Sequence, residues 1–164
     1  MRKVILVLLS IVFLIIDNTV MPFFSINTYY PSILMVFAIC YSIINDKWDA
    51  LSIGVISGLL QDIYFFRGFG VNALVNMIIC LIASQIGENI FKEKKLIPVV
   101  AAFFLTTLKY LMVYVILYVT KVQTHIKGVF YIGITSMILA LLMYKRVYKL
   151  SQKNYMKKDW KFNE

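Results

Sequence analysis

A chain of 164 residues that is 61% hydrophobic, with a mean hydropathy of +0.81, is more apolar than soluble domains, which sit near half. Its apolar residues fall in long runs, which excludes a soluble globular domain and implies helices in lipid, where each backbone polar group must be satisfied within its own segment. The formal net charge of +9 is concentrated after the last apolar run, so it marks a membrane edge and argues against nucleic acid as a partner.

Taking about 20 residues per crossing, six spans are expected, over roughly 4–24, 31–46, 50–66, 70–87, 96–120 and 126–145. Met1-Arg2-Lys3 and the apolar run behind it resemble a signal peptide, but no small-x-small cleavage site follows, so an uncleaved first helix is expected. Pro22 and Pro31 bracket the first outer loop, ending one helix and opening the next. In the third span, Gly54 and Gly58 form a GxxxG spacing that lets two helix backbones approach closely. Asp62 follows four residues later on the same helix face. Spacing leaves open whether the facing helix belongs to this chain or to a second protein, and it permits a homodimer. Gly68 and Gly70 fit a tight outer turn. The inner loop from Gly87 to Lys95 is mixed in charge and reads as a solvated connector, with a cytoplasmic docking surface as the alternative. Pro98 falls in the first turn of the fifth span, where proline is tolerated.

Seven basic residues, Lys145, Arg146, Lys149, Lys153, Lys157, Lys158 and Lys161, lie at or after the end of the sixth span, interleaved with Tyr144, Tyr148, Tyr155 and Trp160. The segment 146–164 is read as a basic cytoplasmic tail touching anionic lipid. With the N-terminus inside, the inner segments hold these seven together with Arg2, Lys3, Lys47, Lys92, Lys94 and Lys95, while the outer loops hold only Arg67, Lys121 and Lys127. That bias places both termini in the cytoplasm and requires an even number of spans. The expected fold is an all-α integral membrane protein, a compact six-helix bundle in a single domain.

The polar residues at membrane depth are the candidate site. Asp17, Asp62 and Lys109 lie 13, 12 and 13 residues beyond the expected starts of spans one, three and five, which all run outward. At about 1.5 Å per residue they share a level roughly 18–20 Å above the inner edge. Span four descends through the same layer and brings Asn72 and Asn76. A buried polar cluster of Asp17, Asp62, Asn76 and Lys109 is expected, with Lys109 paired to Asp62 or Asp17, since intramembrane charges usually face inward and pair. The alternative is that each side chain snorkels separately to the outer surface. A proton relay at this depth is a further alternative to a structural role. Catalysis is not expected: there is no GxSxG, HExxH or GxGD motif. Cys40 and Cys80 read as space-filling buried thiols, and His125 stands alone in a short loop, so neither a metal nor a cofactor is implied.

With these residues assembled, the chain resembles the rod shape-determining protein MreD family. The local match is Gly58-Leu59-Leu60-Gln61-Asp62 with Gly54 upstream, followed by Gly70-Val71-Asn72-Ala73-Leu74. Pro31 matches the family's usual opening of the second span, although Ser32 stands where an acid is common. The resemblance implies a non-enzymatic component of the bacterial cell-elongation machinery in the cytoplasmic membrane. It also implies partners: an MreC-like membrane-anchored protein, the actin-like MreB and the peptidoglycan synthases of lateral wall growth. By carry-over, Gly58, Asp62, Gly70 and Asn72 would fold the bundle and present a partner surface. The family is similar in architecture to the substrate-binding subunits of energy-coupling factor transporters. That similarity gives a competing expectation, a vitamin- or metal-binding transport subunit with Asp17, Asp62, Asn72, Asn76 and Lys109 as ligand contacts. Span one lacks the small-residue pair by which such subunits dock, which favours the scaffold.

Overall fold

The computed structural model describes residues 2–25, 30–65, 69–90, 96–121 and 128–153. These residues form six α-helices in order: α1 (Arg2–Thr19), α2 (Ile33–Ile44), α3 (Lys47–Phe65), α4 (Val71–Glu88), α5 (Leu96–Val119) and α6 (Val129–Ser151). One 3-10 turn, Met21–Phe24, follows α1. There is no strand among the described residues. His125, Arg67, Gly68, Lys92, Lys94, Lys95, Lys127, Tyr155, Lys157, Lys158, Trp160 and Lys161 lie outside them.

α2 is the centre of the bundle. Leu34 through Ile43 are all fully buried, because α1, α3, α4, α5 and α6 each pack against it. A helix that is apolar all round can be stable only in such a place. It is also short: 12 residues span about 18 Å, well under the ~30 Å of a bilayer core. Its N-terminus therefore lies inside the protein and needs partners for its free N–H groups.

Glycines set the closest approaches. A Cβ at Gly58 would strike the Ala73 Cα and sit 2.5 Å from the Asn72 carbonyl oxygen; one at Gly54 would sit 2.8 Å from Met77 Cα. The GxxxG seam thus faces α4 of the same chain. Gly87 lies against the Ile43 carbonyl and lets α4 cross the inner end of α2. α5 and α6 form a second pair, with Gly133 against the Phe103 ring and Thr107.

The outward faces are apolar, as in Val4, Leu8, Ile11 and Ile15 of α1, Phe104, Leu108, Leu111 and Val115 of α5, and Ile134, Ile138 and Leu142 of α6. Polar side chains sit inside: Ser10, Asp17, Ser57, Gln61, Asp62, Asn76, Thr106 and Lys109 are all buried. So much exposed apolar surface means a non-aqueous partner, here lipid. Among the described residues three helices, α4, α5 and α6, are long and apolar enough to cross a membrane. The others differ for identifiable reasons: α2 is short, α1 carries Arg2, Lys3 and Asp17, and α3 carries Lys47, Asp49 and Asp62.

Several boundaries depart from expectation. The first apolar run does not form one helix to residue 24; α1 stops at Thr19 and the chain tightens into the 3-10 turn that holds Pro22. α6 does not end near 145 but continues to Ser151, so the start of the basic tail is helical. Tyr144, Val147 and Ser151 pack inward there, and burial of that stripe extends the helix past the apolar run.

Candidate functional site

Two buried carboxylates organise the polar layer, and each does so by capping a helix on another part of the chain. Asp17, near the end of α1, accepts from the N–H of Ile33 (2.6 Å) and of Leu34 (3.1 Å) and from the hydroxyl of Ser32 (2.6 Å). These donors are the N-terminus of α2, where Ser32 is itself the N-cap and accepts from Met35 N–H at 3.1 Å. Pro31, buried just before it, precedes the cap. The positive end of the helix dipole and the free N–H groups both favour an anion at this point.

Asp62 repeats the arrangement one hairpin later. It accepts from the N–H of Gly70 (3.0 Å), Asn72 (3.0 Å) and Ala73 (2.9 Å), and from Asn72 Nδ2 (3.0 Å). Those donors are the first turn of α4 and the residue that opens it. Gly70 holds φ +96°, a left-handed conformation that favours glycine and turns its N–H toward the carboxylate. Gly58, one turn before Asp62, brings the α4 backbone close enough to be capped. Gly58, Asp62, Gly70 and Asn72 therefore form a single device, a part-buried helix N-terminus held by a carboxylate from the preceding helix.

From Lys109 to the Asp17 cap runs a chain of hydrogen bonds with one polarity. Lys109 Nζ donates to Gln61 Oε1 (2.6 Å), Gln61 Nε2 donates to Ser32 Oγ (3.0 Å), and the Ser32 hydroxyl donates to Asp17. Asn76 Nδ2 adds a second bond to Gln61 Oε1 (3.0 Å) and a longer one to Ser57 Oγ (3.3 Å). Every dipole along the relay points from the ammonium to the carboxylate, so the bonds reinforce one another. Gln61 alone links α2, α3, α4 and α5.

The structure corrects the expected pairing. Lys109 makes no ion pair with Asp17 or Asp62; Gln61 stands between the charges, and each carboxylate is occupied by backbone donors. Asp17, Asn76 and Lys109 share one network, while Asp62 turns away from it toward α4. Sequence reasoning passed over Gln61 and Ser57, and took Ser32 only as a departure from the family pattern. The available signal for Gln61 was an amide inside an apolar run, adjacent to Asp62. The relay is also poorly suited to moving protons, because an amide neither gives nor takes a proton readily. Among the described residues no group of three histidine, cysteine or acidic side chains is placed to hold a metal. Cys40 and Cys80 are buried free thiols.

One consequence distinguishes a relay from an ion pair. Lys109→Leu leaves Asp17 with three donors and Gln61 Oε1 with Asn76, so it should destabilise the bundle by only about 1–3 kcal/mol, the scale of a lost charged hydrogen bond. Breaking a direct buried pair costs roughly 3–5 kcal/mol. Thermal unfolding of Lys109→Leu beside Asp17→Ala decides it; equal, large losses would point to direct pairing.

A family model described as rod shape-determining protein MreD matches residues 1–154 of the 164-residue chain. No curated protein and no solved structure matches it.

Proposed function

We propose that this chain, which belongs to the rod shape-determining protein MreD family, is a non-enzymatic membrane scaffold of the bacterial cell-elongation machinery. The family match over residues 1–154 carries the reading. In it the chain crosses the cytoplasmic membrane six times with both termini inside, and maintains rod shape by organising lateral peptidoglycan synthesis with an MreC-like membrane-anchored partner. MreB and the lateral-wall synthases are further partners, and the inner basic end meets anionic lipid.

The site geometry supports a scaffold. Asp17 and Asp62 spend their oxygens on helix N-termini, and Gln61 fills both acceptor positions with Lys109 and Asn76. Helices tied through Asp17, Ser32, Gln61, Asp62 and Lys109 are suited to presenting a fixed surface. The competing reading, a substrate-binding subunit of an energy-coupling factor transporter, needs Asp17, Asp62, Asn72, Asn76 and Lys109 for a ligand, yet Asp17, Asp62, Asn72 and Lys109 bond within the chain, and of Asn76 only the amide oxygen is left without a hydrogen-bond partner.

Depletion of the protein in its own rod-shaped host tests the proposal. Cells should widen and round. Wild-type protein should restore rods, and Asp62→Asn should restore them poorly because an amide returns only part of the cap. Unchanged rods with impaired vitamin-dependent growth would sink the scaffold and favour transport.

A further inference from the structure

α6 continues beyond the apolar run and is anchored where it ends. The Ser151 hydroxyl donates to Asn45 Oδ1 (2.9 Å), and the Ser84 hydroxyl donates to the Asn45 carbonyl (3.1 Å). The last turns of α6 and α4 are thus tied to the C-terminal cap of the central helix α2. Tyr144 and Val147 fill the interior beside this tie.

The opposite face of the same turns is a continuous stripe. At about 100° per residue, Ile134, Ile138, Leu141 and Leu142, then Lys145, Arg146 and Lys149, fall within one sector of roughly 140°. All seven are exposed. Lys145, Arg146 and Lys149 make no ion pair among the described residues; the exposed pair Lys47–Glu88, at 3.3 Å, lies between α3 and α4. An apolar row running directly into three cations one turn later matches one kind of molecule, an acyl chain with a phosphate at its end. An acidic protein would leave the apolar half uncovered in register with it, and free phosphate would ignore it.

We propose that this face of α6 is a binding site for an anionic phospholipid of the inner leaflet, with acyl chain along Ile138, Leu141 and Leu142 and phosphate among Lys145, Arg146 and Lys149. The site lies on α6, whose end is fixed by Ser151 and Asn45. It rests on α6 crossing the membrane, as its length and apolarity indicate.

The test uses the full chain reconstituted into vesicles of equal phosphatidylglycerol and phosphatidylcholine, with retained lipid measured by native mass spectrometry. Wild type should retain phosphatidylglycerol preferentially. Each charge removed should lower the preference about five-fold and the variant K145Q/R146Q/K149Q roughly a hundred-fold, following about one kcal/mol per cation near the surface. Glutamine keeps the helix propensity. K157Q/K158Q/K161Q should behave as wild type. Loss of preference in that tail variant alone, no preference in wild type, or inorganic phosphate competing fully with lipid would each overturn the site. Should the triple variant fold poorly, R146Q and K149Q singly read the same step. Carbonate extraction reports separately whether each protein is membrane-inserted, so a failure of the membrane reading is told apart from a failure of the site.

Discussion

Asp62→Ala should cost the bundle about 3–5 kcal/mol, because three part-buried N–H donors lose their acceptor at once and each unsatisfied group costs about 1–3 kcal/mol. The donors of Gly70, Asn72 and Ala73 lie between α3 and α4, at 2.9–3.0 Å from the carboxylate. Marginal stabilities of 5–15 kcal/mol are typical, so the loss should appear as a large drop in folded yield and in the unfolding midpoint. Asp62→Asn should fall between, since its carbonyl still accepts while its amide group opposes a donor. Asp62→Glu should not rescue fully, because the extra methylene displaces the carboxylate from a cap set by Gly58. Detergent-solubilised protein followed by thermal unfolding measures all three. An Asp62→Ala protein as stable as wild type would mean that α4 needs no cap.

Gly58→Ala is the second large effect. The added methyl meets α4 backbone, namely Ala73 Cα, Ala73 N at 2.6 Å and the Asn72 carbonyl at 2.5 Å, and backbone cannot rotate away as a side chain can. The helices must separate, at the upper end of the about 1–3 kcal/mol usual for overpacking. Separation also draws the α4 N-terminus off Asp62, so Gly58→Ala and Asp62→Ala should be less than additive in a double-mutant cycle. Gly54→Ala should be milder, with nearest approaches of 2.8 and 2.9 Å. Equal losses at Gly54 and Gly58, or full additivity with Asp62, would separate the glycine seam from the cap.

The resemblance read from Gly58-Leu59-Leu60-Gln61-Asp62 and Gly70-Val71-Asn72-Ala73 is matched by the family model, and the geometry explains why these residues travel together. Gly58 permits approach, Asp62 accepts, Gly70 turns the chain and Asn72 donates twice. A short pattern of this kind is legible because it is local: its members lie on two consecutive helices and the turn between them. The relay was not legible in the same way. Lys109 and Gln61 are 48 residues apart, and Gln61 and Ser32 are 29 apart. Depth along each helix put Asp17, Asp62 and Lys109 at one level, but level says nothing of rotation. Asp62 and Gln61 are neighbours in sequence and point to different partners, since successive helical residues are turned by about 100°.

What the sequence determined by itself was the helical class and the presence of Asp17, Asp62 and Lys109 inside apolar runs, because long apolar runs in lipid have few alternatives to helix and charges rarely stay in such runs without purpose. The tertiary structure decided what those charges do. Whether a buried carboxylate meets a lysine or a helix N-terminus depends on where the short helix α2 and the glycine-opened helix α4 begin in space. It also decided where α6 ends, because burial of Tyr144, Val147 and Ser151 against the bundle outweighs the loss of apolar character past residue 145.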